Sequence, residues 1–265
     1  MRIIDFHIHY FPDKIVEKAM ASLSSAGGIK PFSDGTLCGV VKTMKEANIE
    51  FALNLPLATN PESTMGLNTW AAKTNTAPVF NLGSIHPDYQ EVDELAAFIK
   101  KSGLRGVKMH PEYQKFNVLE KRVEKIWEAC VKHDLFVVTH AGADIAFPPP
   151  FMSCPEDFAE LYRRYPTLRM VLAHCGSWGM WERVEKYLAG KVPFSFDLAF
   201  TPGMLEDDFL MRLIRTHGAD KILFGTDSPW RDQKEEVRKV DALPLTEKEK
   251  SLIFFENAAK FLGIE

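Results

Sequence analysis

The sequence predicts an α/β protein in which eight parallel strands, each followed by a helix, close into a barrel. Three observations predict it. Short apolar segments alternate with helical ones eight times, at a spacing of about 30 residues, as in repeated βα units. The chain has 265 residues, 46% of them hydrophobic, which suffices for one sizeable core. Six of the eight histidines fall at the C-terminal ends of predicted strands, the end on which such barrels build their active sites.

The first strand, residues 3–9, sets the pattern. Ile4, Phe6 and Ile8 point one way, and Asp5, His7 and His9 the other. Residues two apart share a face roughly 6.5–7 Å apart. Two imidazoles at that spacing can grip one metal ion, and neutral His suits Zn²⁺. Helices are expected at 12–25, broken by Gly27 and Gly28, and at 36–47. Strand two is 51–55, stopped by Pro56; a helix at 64–74 leads to strand three, 78–85, which ends in His86. A helix at 91–101 precedes strand four, 104–109, which ends in His110 and Pro111. Residues 118–132 carry Val123, Ile126, Trp127 and Cys130 at helical spacing. Strand five, 135–139, ends in His140, and the proline-rich 147–155 is a loop. A helix at 156–164 precedes strand six, 168–173, which ends in His174. A helix at 178–188, strand seven at 193–198 and a helix at 206–217 with Gly218 as its cap follow. Strand eight, 221–224, runs into Gly225-Thr226-Asp227-Ser228-Pro229, and helices at 233–240 and 247–262 close the pattern.

The expectation is therefore a single-domain (β/α)8 TIM barrel over residues 1–265, with no linker or low-complexity segment. An open doubly wound sheet would carry a Gly-rich phosphate loop after strand one, where this chain has His7-Ile8-His9-Tyr10-Phe11-Pro12. Lys+Arg 32 against Asp+Glu 36 gives a net charge of -4, with no block of like charge, which argues against nucleic acid. No apolar run approaches the ~18 residues of a membrane span. Arg2, Asp5 and two histidines interrupt any apolar leader. Cys38, Cys130, Cys154 and Cys175 show no C-x-x-C spacing and suggest no disulfide framework, so a reduced cytoplasmic setting is expected.

Of the remaining histidines, His133 and His217 end helices, where the helix dipole favours them. Asp227 ends strand eight. Its residue type and the following Ser228-Pro229 fit an Asx turn, but the gathering of imidazoles at strand ends favours a ligand role. Lys108 shares a strand face with His110. Tyr113, Trp178, Trp230 and Arg231, with Phe11, Phe147 and Phe151, lie in predicted loops after strands. Aromatics with one or two cations suit a small planar or carboxylated substrate. Asp197, ending strand seven, either orients a ligand histidine or caps the next helix. Cys175 faces away from His174 and reads as packing.

These segments together resemble the amidohydrolase superfamily, in the branch of aminocarboxymuconate semialdehyde decarboxylase and related small hydrolases. The matching stretches are Asp5-Phe-His-Ile-His9, Gly106-Val-Lys-Met-His-Pro111, Val138-Thr-His-Ala-Gly142, Leu172-Ala-His-Cys-Gly176, Leu223-Phe-Gly-Thr-Asp-Ser-Pro229 and Glu256-Asn-Ala258. The resemblance implies Zn²⁺ or another divalent ion held by His7, His9, His140 and Asp227. It implies His174 as the residue that works on a metal-activated water, with Asp227 sharing the proton transfer. Binuclear members bridge two metals with a carboxylated lysine, which would make Lys108 that bridge and His174 a ligand of the second ion. Mononuclear members lack the bridge, and Lys108 or His110 would then bind a substrate carboxylate. One ion per chain is the favoured count, two the alternative. A lysine simply paired with Asp197 or Asp5 is the third reading of Lys108.

The expected function is metal-dependent hydrolysis of an amide, lactone or related carbonyl of a small carboxylated substrate. Tyr113, Trp178, Trp230 and Arg231 join Lys108 and His110 as substrate contacts. The alternative is non-oxidative decarboxylation of a small unsaturated or aromatic acid on the same donor set; a non-catalytic metal-binding protein is the third. Analogy with other barrels leaves a homodimer open.

Overall fold

Burial decides where the strands lie. All five residues of β1 (Ile4–Ile8) are buried, polar and apolar alike, as in a strand covered on both faces. The computed structural model describes residues 1–265. The further strands are β2 (Phe51–Asn54), β3 (Val79–Asn81), β4 (Gly83–Ser84), β5 (Gly106–Met109), β6 (Phe136–Thr139), β7 (Met170–Leu172), β8 (Ser195–Asp197) and β9 (Ile222–Leu223). Helices separate all of them except β3 and β4, between which only Leu82 intervenes. The chain forms two compact units, one of Met1–Asn54, Thr76–Phe80 and Asp197–Glu265, the other of Leu55–Asn75 and Asn81–Phe196.

In the first unit β1 pairs in parallel with β2, Ile4 opposite Phe51 and Asp5 opposite Ala52, with a register shift before Ile8. The other edge of β1 takes the chain around β9: Phe6 N–H donates to Phe224 O (2.9 Å) and Asp227 N–H to His7 O (2.8 Å). Phenylalanines hold these strands to the last helices, Phe6 against Phe261 (5.4 Å between centroids) and Phe224 against Phe254 (4.9 Å). Each fully buried Phe contributes about 1.5–3 kcal/mol by leaving water.

In the second unit β4 through β7 and the start of β8 pair in parallel, Gly83 with Val107, Val107 with Val137, Val137 with Met170 and Val171 with Ser195. The helix Lys121–Lys132 buries Val123, Ile126, Trp127 and Cys130, the face that sequence periodicity assigned to it. No helix is long and apolar enough to cross a membrane.

Departures from the expected elements have local causes. The expected strand 78–85 is broken at Leu82, where side chains serve the backbone: Asn68 Oδ1 accepts from Ser84 N–H and Asn81 Nδ2 donates to Ala71 O. The helix expected from 118 starts at Lys121, because the Val118 carbonyl accepts from Trp127 Nε1 (3.0 Å) and Asn117 Oδ1 holds Leu119 N–H. A short helix, Pro111–Gln114, follows β5 at once. The last helix contains a π turn, Leu252–Glu256, between Glu247–Ser251 and Asn257–Leu262. There the Ile253 carbonyl accepts from Phe224 N–H (2.8 Å), so a strand residue draws a carbonyl out of the helical ladder.

Candidate functional site

Every histidine expected at a strand end is found at one: His7 and His9 at β1, His86 after β4, His110 after β5, His140 after β6 and His174 after β7. Five of the six fall into two groups, one in each unit; His86 stands apart, its Nδ1 accepting from Asp88 N–H (3.2 Å).

The first group is His7, His9 and Asp227. His7 Nε2 lies 3.2 Å from His9 Nε2 and 3.4 Å from Asp227 Oδ1, and His9 Nε2 lies 3.1 Å from the same oxygen. Metal–ligand bonds of about 2.0–2.1 Å put two donors of one cation about 2.8–3.4 Å apart, from octahedral to tetrahedral angles. The three atoms therefore have the spacing that one cation requires. Asp197 Oδ2 fixes the tautomer of His7. It accepts the Nδ1 proton at 2.9 Å, which leaves the Nε2 lone pair facing the other two donors. Two imidazoles and a carboxylate suit a borderline divalent ion.

Backbone geometry aims the carboxylate. Asp227 has φ 66, a left-handed conformation uncommon for a residue with a side chain, held by the Asp227 N–H to His7 O bond and by Trp230 N–H to Asp227 O (2.9 Å). Gly225 lets the loop approach: a Cβ there would lie 2.9 Å from His7 Cβ. Asp5, fully buried, accepts from His7 N, Thr226 N, Thr226 Oγ1 and Gln233 Nε2. Burial pushes its carboxyl up to about 7 against those hydrogen bonds.

The second group holds His110, His140, His174, Asp144 and Lys108. His140 donates from Nε2 to Ala143 O (2.9 Å), so its Nδ1 accepts from His174 Nε2 (3.1 Å). His110 Nε2 lies 3.3 Å from Asp144 Oδ2, and its ring stacks on His140 with centroids 4.2 Å apart and planes 5° from parallel. The donor atoms of His110, His140 and Asp144 lie within 4.8 Å of one another, but an imidazole binds a cation close to its own plane, and these two rings are stacked nearly parallel with centroids 4.2 Å apart, so one ring would have to turn for both to ligate one ion. Burial, then the charges of His110, His174 and Lys108, hold His140 well below the usual histidine range. Burial lowers His110 to about 4 despite Asp144. Asp144 itself is held low by His110 and the Ala146 N–H, which outweigh its burial. His174 has φ 60 and is followed by Cys175 at 54 and Gly176 at 86, a run of left-handed residues that turns the chain sharply after β7.

The residues expected in the loops divide between the two units. Tyr113 packs edge-on to His110 (4.8 Å) and to Phe147 (4.9 Å). Trp178 is half-buried, its backbone paired with Ala141 and Ala143 rather than helical. Trp230 lies three residues past Asp227, and its N–H donates to the Asp227 carbonyl (2.9 Å). Arg231 is held by Glu236 Oε1 (3.0 Å) and Pro202 O (3.3 Å), over the Phe200 ring. Lys108 is buried, 2% exposed. Sequence reasoning missed Asp144 and the Thr226–Gln233 partners of Asp5. An acid four residues after a strand-end histidine was the available signal for Asp144; Thr226 and Gln233 carried none.

Parallel strands that end in histidines and carboxylates, with donor atoms at the spacing one cation requires, mark a candidate metal centre on an α/β scaffold. The chain belongs to the amidohydrolase family: the family described as Amidohydrolase (Amidohydro_2) matches residues 4–264. Its members are metal-dependent enzymes on TIM barrels. Three solved structures are similar over nearly the full length of both chains. A TIM-barrel protein from Bordetella bronchiseptica has TM-score 0.79 and 20% identity, covering 99% of each chain. The 2,6-dihydroxybenzoate decarboxylase from Rhizobium has TM-score 0.73 and 16% identity, covering 99% of each. The 5-carboxyvanillate decarboxylase from Novosphingobium aromaticivorans, solved with manganese, has TM-score 0.71 and 14% identity, covering 99% of this chain and 96% of that one. No curated protein matches by sequence. The fold is thus the TIM barrel of this family, as the sequence predicts.

Proposed function

We propose that the chain acts as one catalytic domain, a metal-dependent hydrolase of an amide, lactone or related carbonyl in a small carboxylated substrate. The observation that carries this reading is the trio His7 Nε2, His9 Nε2 and Asp227 Oδ1, with 3.1–3.4 Å between donors and the His7 tautomer fixed by Asp197. A bound divalent ion there, Zn²⁺ in the first instance and one per chain, supplies Lewis acidity and lowers the pKa of water from 15.7 toward about 7. His174 and the Asp227 carboxylate are the groups assigned to take and return the proton. Lys108, with His110 held by Asp144, forms a buried basic group that suits a substrate carboxylate, and Tyr113 supplies an apolar wall beside it. Trp178, Trp230 and Arg231 are the further substrate contacts.

Decarboxylation of a small aromatic acid is the second reading. Two of the similar structures, named as decarboxylases of benzoate-type acids, favour it, and the manganese in one makes Mn²⁺ the alternative ion. The test is metal content per chain, then incubation of the loaded protein with both substrate classes. CO₂ release from aromatic acids supports the second reading, and ring opening or acid release from lactones and amides the first. Failure to retain or take up any divalent metal would remove both. Metal titration of His140→Ala reads, by itself, the ligand role that the family resemblance gives His140.

A further inference from the structure

We propose that Asp5, working through Thr226 and Gln233, is a positioning residue that sets the spacing of the His7–His9 pair and Asp227; the inference rests on the metal-centre reading above. The ligands come from two separate backbone segments, the end of β1 and the loop after β9, and the Asp5 carboxylate bonds to both. Its Oδ1 accepts from His7 N (3.3 Å) and Thr226 N (3.0 Å). Its Oδ2 accepts from Thr226 Oγ1 (2.6 Å) and Gln233 Nε2 (2.8 Å). Thr226 Oγ1 in turn accepts from Ser228 N (3.1 Å), so one hydroxyl fixes the residues on either side of Asp227. Gln233 is oriented by its other end: its Oε1 accepts from Thr43 Oγ1 (2.7 Å), which ties the helix Gln233–Ala242 to the helix Leu37–Glu46 and leaves Nε2 to face Asp5.

Asp5, Thr226, Ser228 and Gln233 are each 2% exposed or less, so water cannot replace a lost partner. None of the four touches the expected ion. They act on where the donors sit, and donors held within a few tenths of an ångström of ideal spacing are what a tight site needs. Such partners of ligand-bearing segments weaken metal affinity about 10–100-fold when removed.

The experiment uses the full chain stripped of metal. Zn²⁺ affinity is measured by competition with a chromogenic chelator, coordination geometry by the visible bands of the Co²⁺ form, and fold by apo-protein melting. Thr226→Val, which keeps shape and removes the hydroxyl, and Gln233→Met, which removes the amide, are expected to weaken Zn²⁺ binding at least about tenfold and to shift the Co²⁺ bands. Thr226→Ser, which restores the hydroxyl, is expected to bind within about threefold of the parent. Unchanged affinity and bands in Thr226→Val and Gln233→Met, with only melting lowered, would make the network structural and overturn the proposal. Should Thr226→Val not fold, Gln233→Met alone decides by the same readouts. A parent chain that binds neither ion overturns the metal-centre reading and this inference with it, an outcome distinct from variants that match a binding parent.

Discussion

Replacing Asp197 by Asn should weaken metal binding by about 10–100-fold, or about 1.4–2.7 kcal/mol. The change preserves volume and removes one acceptor. Both carboxylate oxygens are in use: Oδ2 accepts the His7 Nδ1 proton at 2.9 Å, and Oδ1 accepts Ala199 N–H at 3.1 Å. An asparagine has one oxygen to offer. With its oxygen toward Ala199, its NH₂ faces His7 and forces the imidazole proton onto Nε2, the atom that must donate to the ion. With its oxygen toward His7, its NH₂ opposes the Ala199 N–H. The site is fully buried, so water relieves neither arrangement. Chelator competition gives the dissociation constant of parent and variant, and apo-protein melting confirms the fold. A well-folded variant whose dissociation constant lies within about twofold of the parent would refute the claim that Asp197 sets the tautomer of a ligand.

Further outcomes follow from the same geometry. His9→Ala removes a donor outright and should cost more affinity than the roughly 10–100-fold of an outer partner, measured in the same competition assay. Gly142→Ala should destabilise the fold by at least about 2 kcal/mol in urea unfolding, because φ there is +87 and a Cβ would lie 2.5 Å from Trp178 O and 2.4 Å from Ser177 Oγ. His110, lowered to about 4 in the folded chain, stabilises fully above its unfolded value near 6.5. That contribution, at most about 3.4 kcal/mol, is lost as pH falls from 6.5 toward 4. His110→Asn should therefore flatten the fall in unfolding free energy of the metal-free protein over that window, and an unchanged slope would count against a neutral buried His110. Asn257→Ala leaves the Ala219 and Ile222 carbonyls without their side-chain donor and should lower stability by about 1–3 kcal/mol.

The strands and the strand-end histidines were legible because burial on both faces writes a continuous apolar run, and a histidine at its end stands out against it. The residues that fix geometry were not. Asp5 reads in sequence as one more polar residue on the His7 face, and its partners lie more than two hundred positions away at Thr226 and Gln233. The π turn in the last helix arises from a carbonyl taken by Phe224, a tertiary event that local helix propensity cannot report. The stacking of His110 on His140 likewise depends on how neighbouring strands end. Residue type and spacing put both rings at strand ends, and only the packed strands made their planes parallel.

The first unit is assembled from the two ends of the described chain, and this has a consequence for synthesis on the ribosome. The 142 residues from 55 to 196 lie between its main parts, with only 76–80 belonging to it. The strand that covers the second edge of β1 begins at Ile222, well beyond that stretch, so at about 5–20 residues per second β1 waits roughly 11–43 s for it. Through that interval His7 and His9 are already translated without Asp227, so the nascent chain carries an imidazole pair and no carboxylate to complete it. On the proposed metal reading, the donor trio is complete only once residue 227 has been added, so ion capture by all three donors waits for the folding of the strand around Phe224 onto β1.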